Sequence, residues 1–131
     1  MSFPAIDVGT KARERKVILI DDDPLQLRIR EAVLRGAGFD VATTTSADDA
    51  LVTLQAESAE TFGAIVTDHL MPNVSGVEFV RRVRRLNATV PVIVVSGMAE
   101  AESEYEGLNI VFRQKPCRPA ELIALVQQVC E

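Results

Sequence analysis

The sequence has few of the residues that build disulfide frameworks or metal centres with sulfur and nitrogen ligands. It contains two cysteines, Cys117 and Cys130, no C-x-x-C motif and a single histidine. A structural zinc site or a set of disulfides needs more thiols or imidazoles than this. We therefore interpret the two cysteines as buried or incidental thiols in a reducing compartment.

Long apolar runs and an excess of basic residues are also absent. No segment approaches the ~18–20 consecutive apolar residues that cross a bilayer, and the N-terminus lacks the basic-then-apolar pattern of a signal peptide. The formal net charge of −5 disfavours non-specific binding of nucleic acid, because proteins that bind it are usually basic. We expect a cytoplasmic protein without membrane contacts or direct nucleic-acid binding.

The chain of 131 residues is 47% apolar, which suffices for the core of one domain. Residues 1–15 have no clear period and are expected to form a flexible leader, so the folded domain is expected at 16–131. Strands are predicted at 16–20, 39–43, 63–67, 91–95 and 110–113, and helices from Pro24 to Gly36 or Gly38, from Ser46, from Ser75 and after Pro119. The segment 98–107 has four glutamates and little apolar periodicity. Any helix there is expected to be short, displaced or mobile.

The patterning of the strands predicts the fold class. The first, third and fourth strands are continuously apolar, which is typical of strands buried on both faces of a parallel sheet. Strands that alternate with helices in this way predict a doubly wound α/β fold. In such a sheet, ligands bind outside the carboxyl ends of the strands. This rule brings together the residues at or just past four predicted strand ends: Asp21, Asp22, Asp68, Ser96 and Lys115.

Three consecutive aspartates, Asp21, Asp22 and Asp23, follow the first strand and precede Pro24. Adjacent carboxylates repel each other, and hard divalent cations such as Mg²⁺ prefer carboxylate oxygens as ligands. An aspartate followed by a proline is also a common start of a helix, so we interpret Asp23 as a helix cap. For Asp21 and Asp22 two interpretations stay open, namely a metal site and side chains that face water.

The residues at this sheet edge suit phosphoryl transfer, which needs positioning and charge neutralisation more than covalent help. Asp68 is placed to be the nucleophile, since carboxylates do form aspartyl-phosphates. The Ser96 hydroxyl and the Lys115 ammonium would bind phosphate oxygens, and the Gly97 N–H would add a donor, because glycine allows close approach. Taken alone, each of these residues also fits an ordinary turn or cap.

The neighbouring basic residues are expected to be structural. His69, next to Asp68, is interpreted as an exposed residue at the rim of the site. The solvated face of the third helix is expected to carry Arg81, Arg82, Arg84 and Arg85.

Four short segments carry the candidate site. They are Val17–Pro24, Ile65–Pro72 followed by Ser75-Gly76, Val94–Gly97, and Lys115-Pro116. In this order and at this spacing they resemble the receiver domain of two-component response regulators, over about residues 16–130. Each segment alone is a weak signal, whereas the four together are highly specific. The eighteen residues between Ser96 and Lys115 are slightly fewer than the family usually has.

The resemblance implies a flavodoxin-like fold with sheet order 2-1-3-4-5. It also implies a signalling phosphoacceptor, not an enzyme, which catalyses only its own phosphorylation and dephosphorylation. Asp68 would accept a phosphoryl group from a histidine of a kinase or of a phosphotransfer protein. Asp22 would bind Mg²⁺ directly, Asp21 largely through water, and the carbonyl of Leu70 would complete the metal shell. Mn²⁺ could substitute for Mg²⁺.

The resemblance further implies a switch that acts on protein contacts. Ser96 would follow the phosphoryl group, Lys115 would bridge it to the acidic pocket, and Phe112 would be the switch aromatic. The peptide bond between Lys115 and its proline would be cis. Leu70 and Met98 occupy the positions that tune dephosphorylation in the family, and neither can orient a water. The protein would be a monomer or a weak dimer, either alone or as part of a larger protein such as a hybrid histidine kinase.

Three other classes of protein share parts of this pattern. A haloacid-dehalogenase-like phosphatase would use Asp21 as its nucleophile. A flavodoxin-like binder of flavin phosphate is disfavoured, because the acidic loop after the first strand would repel a phosphate. A pseudo-receiver, used only for protein contacts, is disfavoured because all the acceptor residues are present.

Overall fold

The computed structural model describes residues 16–58 and 61–130, in which five strands alternate with helices. In chain order the elements are β1 (Lys16–Ile20), α1 (Pro24–Gly36), β2 (Asp40–Thr44), α2 (Ala47–Glu57), β3 (Ala64–Asp68), α3 (Gly76–Leu86), β4 (Val92–Ser96), the 3₁₀ helix η1 (Ala99–Tyr105), β5 (Val111–Gln114) and α4 (Pro119–Cys130). The predicted leader at 1–15 lies outside the described residues. None of the helices in the described ranges is long and apolar enough to cross a membrane.

The five strands form one parallel sheet in the order β2-β1-β3-β4-β5. The predicted doubly wound fold and strand order are therefore confirmed. The order reverses at β1, which has β2 on one side and β3 on the other. The carboxyl ends of β1 and β3 thus flank the switch point, where ligands bind in sheets of this kind.

Both faces of the sheet are covered, which accounts for the unbroken apolar runs in its central strands. Val17 and Leu19 of β1 pack in a cluster with apolar residues of α1 and α4. The alternate residues Ile18 and Ile20 pack in a second cluster with residues of α2, α3 and η1. Because neighbouring residues of a strand point to opposite faces, a strand covered on both sides needs an apolar residue at every position.

The four strands from β2 to β5 each begin and end one residue later than predicted. At the end of β3, Asp68 is in register with Val95, and at the end of β4, Ser96 is in register with Gln114. The ladder uses backbone groups only, so a change to polar side chains does not end a strand. Asp68 and Ser96 therefore belong to the hydrogen-bonded sheet and not to the loops that follow it.

The segment between β4 and β5 is irregular, as predicted. It forms the 3₁₀ helix η1 and no α-helix. Ala101 and Tyr105 are its buried residues, whereas its glutamates are exposed. Two inward side chains in seven residues are too few for the apolar stripe of a packed α-helix.

Arg84 was expected on the solvated face of α3, but its side chain is bound to backbone carbonyl groups. Its guanidinium donates to the carbonyl oxygens of Val90 at 2.7 Å, Leu108 at 2.8 Å and Asn109 at 2.9 Å. It therefore ties the end of α3 to the chain that precedes β4 and β5. The expectation was wrong because two of these carbonyls lie 24 and 25 residues further along the chain, where helix periodicity gives no information.

Candidate functional site

A cleft of about 540 Å³ opens at the carboxyl edge of the sheet. It is lined by Asp21, Asp22, Asp23, Gln26, Asp68, His69, Leu70, Val95, Ser96, Gly97 and Lys115. The polar residues that the sequence analysis assigned to this edge therefore do lie together. The predicted switch residue Phe112 lies instead in the core, between the sheet and η1.

The three aspartates after β1 have different environments. Asp23 caps α1, because its Oδ1 accepts the N–H groups of Leu25 and Gln26. Asp22 is exposed to solvent at the mouth of the cleft. Asp21 is buried, with 1% of its surface exposed. The predicted helix cap is thus confirmed, and of the other two aspartates only Asp22 faces water.

Asp21 is held through both of its carboxylate oxygens. Oδ1 accepts the backbone N–H of Asp23 at 2.9 Å, and Oδ2 accepts Nη1 of Arg30 at 3.1 Å. Burial raises the pKa of Asp21 to about 6; the nearby Asp68 carboxyl adds to the rise, and the Asp23 N–H and Arg30 oppose it. Asp21 is therefore an oriented group, engaged on both sides.

Asp68 is buried at the base of the cleft and contacts two cations. Its Oδ1 lies 3.1 Å from Nζ of Lys115 and 3.6 Å from Nη1 of Arg30. The contact with Lys115 is short, but it does not have the directions of a hydrogen bond. Among the described residues, Oδ1 has no hydrogen-bond partner. A buried acceptor in this state is uncommon and indicates a position where another group binds or reacts.

The acidic residues of the cleft fit a hard divalent cation. Asp21, Asp22 and Asp68 each offer a carboxylate oxygen, and these oxygens all lie within 4.8 Å of one another. Mg²⁺ takes such oxygen ligands, usually one or two carboxylates together with waters and a phosphate. The Asp68 oxygen without a hydrogen bond supplies one lone pair that no other described group uses.

Ser96, Gly97 and Lys115 form the other wall of the cleft. Ser96 Oγ accepts the N–H of Met98 at 3.0 Å, and the Ser96 carbonyl accepts the N–H of Lys115 at 2.7 Å. The peptide bond between Lys115 and Pro116 is cis. A Cβ added at Gly97 would meet no atom of the described residues within 4 Å, so their packing does not require glycine at that position.

His69 is buried, and the expectation of an exposed residue was wrong. Its Nδ1 lies 2.7 Å from the hydroxyl of Tyr105, and the two rings meet edge to face. The Tyr105 ring in turn lies 6.2 Å from that of Phe112, measured between centroids. Tyr105 was not predicted to take part, because it lies 36 residues after His69 in the sequence. The available signal was a lone aromatic residue in the glutamate-rich segment.

Gly76, the first residue of α3, makes room for this contact. A Cβ at this position would collide with the hydroxyl of Tyr105 and with backbone atoms of Asp68 and His69. The backbone N–H of Gly76 also donates to the carbonyl of His69 at 2.8 Å. Packing therefore requires glycine here.

Arg30 is the second residue of the site that the sequence analysis missed. It is buried on α1 together with Leu27 and Leu34, on the stripe that faces the sheet. The signal in the sequence was its spacing, because Arg30 follows Leu27 by three positions and precedes Leu34 by four, as residues on one face of a helix do. Its two carboxylate contacts are tertiary and are not readable from that spacing.

The fold and the cleft define a class of protein: a flavodoxin-like α/β domain with an acidic site at its topological switch point. Comparison with known proteins narrows this class. The sequence model of the response regulator receiver domain matches residues 17–127. This match covers most of the chain, and the chain therefore belongs to the response regulator receiver domain family.

Individual relatives agree with this family. A protein of Leptolyngbya boryana, described as an uncharacterized 14.6 kDa protein, is 34% identical over 87% of this chain and 88% of its own. The two-component response regulator ARR22 of Arabidopsis thaliana is 26% identical over 93% of this chain and 88% of its own. The crystal structure of a response regulator receiver protein from Sinorhizobium medicae superposes with a TM-score of 0.77 at 28% identity, covering 88% of this chain and 93% of that one.

Family membership fixes the coarse function. Receiver domains are signalling domains of two-component systems and not classical enzymes, and they bind Mg²⁺ at an acidic pocket. Among the described residues, Asp21, Asp22 and Asp68 form an acidic cluster that could hold such an ion. The phosphatase and flavin-binding alternatives receive no support from the family match. Asp21, the nucleophile of the phosphatase alternative, is bound through both oxygens.

Proposed function

We propose that this protein is a phosphoacceptor in which Asp68 takes a phosphoryl group from a histidine of a kinase or of a phosphotransfer protein. The observation that carries the proposal is the Asp68 carboxylate, which is 4% exposed and has one oxygen with no hydrogen-bond partner among residues 16–58 and 61–130. This oxygen faces Lys115 in a cleft with two further carboxylates. Asp21 is less suited to be the acceptor, because both of its oxygens are engaged.

In the proposed transfer, an Asp68 oxygen attacks the phosphorus in line with the imidazole nitrogen of the donor. The O–P bond forms, the P–N bond breaks, and the imidazole leaves and takes up a proton. Lys115 binds a phosphoryl oxygen and balances the charge that develops there, which is the main requirement of such reactions. When bound, Mg²⁺ supplies further positive charge. The residues that would hold it are Asp22, Asp68 and the Leu70 carbonyl, with Asp21 acting largely through water.

The switch is proposed to start at Ser96. Its hydroxyl oxygen accepts the N–H of Met98, and its O–H could donate to an oxygen of a phosphoryl group on Asp68, which is a charged and therefore strong acceptor. Movement of Ser96 would leave space that the ring of Phe112 can enter. Such a change shifts the populations of two pre-existing states. The Gly97 N–H would add a donor to the phosphoryl group.

The output is proposed to be an altered set of protein contacts, made in the cytoplasm by a monomer or weak dimer. No direct binding of nucleic acid by this domain is proposed, consistent with its net charge of −5. A stand-alone receiver and a segment of a hybrid kinase both fit the domain.

The proposal is tested by phosphotransfer from each histidine kinase of the source organism, with and without Mg²⁺. We expect labelling by a cognate kinase that requires Mg²⁺ and is lost in Asp68→Asn. Asp21→Asn serves as the matched control, and it should weaken labelling without abolishing it. Label retained on Asp68→Asn in the presence of Mg²⁺ would contradict the assignment of the acceptor.

A further inference from the structure

Arg30 is a charged residue in a position built for an apolar one. On α1 it shares the buried stripe with Leu27 and Leu34, and its side chain is 8% exposed. Burial of a guanidinium is unfavourable unless the charge is paired. The contacts of Arg30 should therefore explain why a charge lies on the core-facing side of this helix.

Both carboxylates that Arg30 contacts belong to the acidic cleft. Its Nη1 lies 3.1 Å from Oδ2 of Asp21 and 3.6 Å from Oδ1 of Asp68. These two aspartates are themselves 1% and 4% exposed, so solvent screens the three charges little. A single guanidinium nitrogen thus reaches two buried acids that end different strands of the sheet.

The contact of Arg30 with Asp21 and Asp68 changes the balance of charge in the cleft. Asp21, Asp22 and Asp68 bring three negative charges, and Lys115 forms its ion pair within the described part of the chain with Asp68. Arg30 is the cation that touches both buried acids, and it approaches them from the protein interior. A divalent cation held by the same carboxylates would meet Arg30 as a like charge across a few ångströms of poorly screened space.

We propose that Arg30 is an internal counter-cation of the acidic cleft, which holds Asp21 and Asp68 together without metal and competes with Mg²⁺ for them. The inference rests on the proposed function only in taking this cleft as the Mg²⁺ site. Arg30 is a positioning residue, and its effect is to lower the affinity of the cleft for divalent cations. The carboxylates then stay in place when no metal is bound, and Mg²⁺ binds more weakly than the acidic residues alone would allow.

The test is calorimetric titration of MgCl₂ into the full chain, at mildly alkaline pH where the carboxylates are ionised. Arg30→Met keeps an unbranched side chain on the buried stripe and removes the charge. We expect it to bind Mg²⁺ at least ~tenfold more tightly than the parent, because a charge of the same sign has been removed from the site. Arg30→Lys keeps the charge and should bind within a few-fold of the parent.

Two variants control for other effects. Arg28→Met removes the same charge from an exposed position of α1, so it reports the effect of net charge alone and should leave the affinity unchanged. Asp22→Asn should abolish binding and shows that the measured Mg²⁺ occupies the cleft. The dependence of the unfolding temperature on MgCl₂ supplies a readout that a change of packing alone would not alter. Arg30→Met should be less stable than the parent in EDTA and should regain the difference as MgCl₂ rises.

Equal or weaker binding by Arg30→Met, with Asp22→Asn negative, would overturn the role of Arg30 and leave the proposed function intact. If Arg30→Met does not fold in EDTA but folds with MgCl₂, the proposal is supported. If it folds in neither, Arg30→Gln replaces it in the same titration, with the same expected gain in affinity. If neither the parent nor any Arg30 variant binds Mg²⁺, both the inference and the Mg²⁺ dependence of the proposed function are wrong.

Discussion

The acidic cleft and the contact between His69 and η1 lie side by side but are held together in different ways. In the cleft, Arg30 contacts the carboxylates of Asp21 and Asp68, and Lys115 contacts that of Asp68. One oxygen of Asp68 has no hydrogen-bond partner among the described residues. On the other side of His69, a hydrogen bond to Tyr105 and close ring packing hold η1 against the sheet. The cleft should therefore respond to changes of charge, and η1 to changes of shape.

Among these variants, Gly76→Ala should lower the unfolding free energy most, because it disturbs the close packing at the contact between His69 and η1. The added methyl group would collide with Tyr105 and with the backbone of Asp68 and His69. Overpacking of this kind costs about 2–3 kcal/mol of unfolding free energy, and a urea unfolding curve measures it. Gly36→Ala is the matched control: no atom of the described part of the chain lies within 4 Å of its added Cβ, and it should be neutral or slightly stabilising. Equal effects of the two variants would contradict the close packing at Gly76.

Much of this architecture was predictable, because its causes are local or follow from general rules of sheet topology. The apolar runs of β1, β3 and β4 follow from burial on both faces, and the rule of carboxyl strand ends gathers Asp68, Ser96 and Lys115 at one edge. The ends of β3 and β4 were predicted one residue too early because backbone pairing continues through the polar residues Asp68 and Ser96.

The residues that escaped prediction all act through tertiary partners. His69 and Arg84 were expected at the surface, yet each is fixed by residues more than twenty positions later. Arg30 reaches the end of β3 from α1, and nothing in its spacing shows this contact. Helix and strand periods report which side of an element is buried, but not which polar group will lie opposite.

Tyr105→Phe should have a smaller effect that leaves the cleft unchanged. It removes the hydroxyl that bonds His69 but keeps the ring beside Phe112. Loss of a partner for a buried polar group should lower the unfolding free energy by about 1–2 kcal/mol. Because this hydrogen bond does not involve Asp21, Asp22 or Asp68, the loss should be the same in EDTA and in MgCl₂. A loss that disappears with MgCl₂ would show that the two regions are coupled.

The smallest effect is expected at the rim of the cleft, in the lifetime of the phosphoryl group. Leu70 and Met98, which are 65% and 40% exposed, can exclude a water but cannot orient it. Leu70→Asn with Met98→Glu supplies polar groups and should speed decay of phosphorylated protein up to ~tenfold, or about 1.4 kcal/mol of barrier. Val52→Asn, an exposed apolar residue on α2, is the control. Unchanged decay in the double variant would show that the apolar side chains do not set the lifetime.

The central claim is that Asp68 is the phosphoacceptor of this receiver domain. Its most direct test is mass spectrometric peptide mapping of the protein after reaction with acetyl phosphate and MgCl₂. We predict a single phosphoryl group, on the peptide that carries Asp68, and none when MgCl₂ is replaced by EDTA. Phosphorylation of Asp21 instead, or no phosphorylation under either condition, would contradict the account.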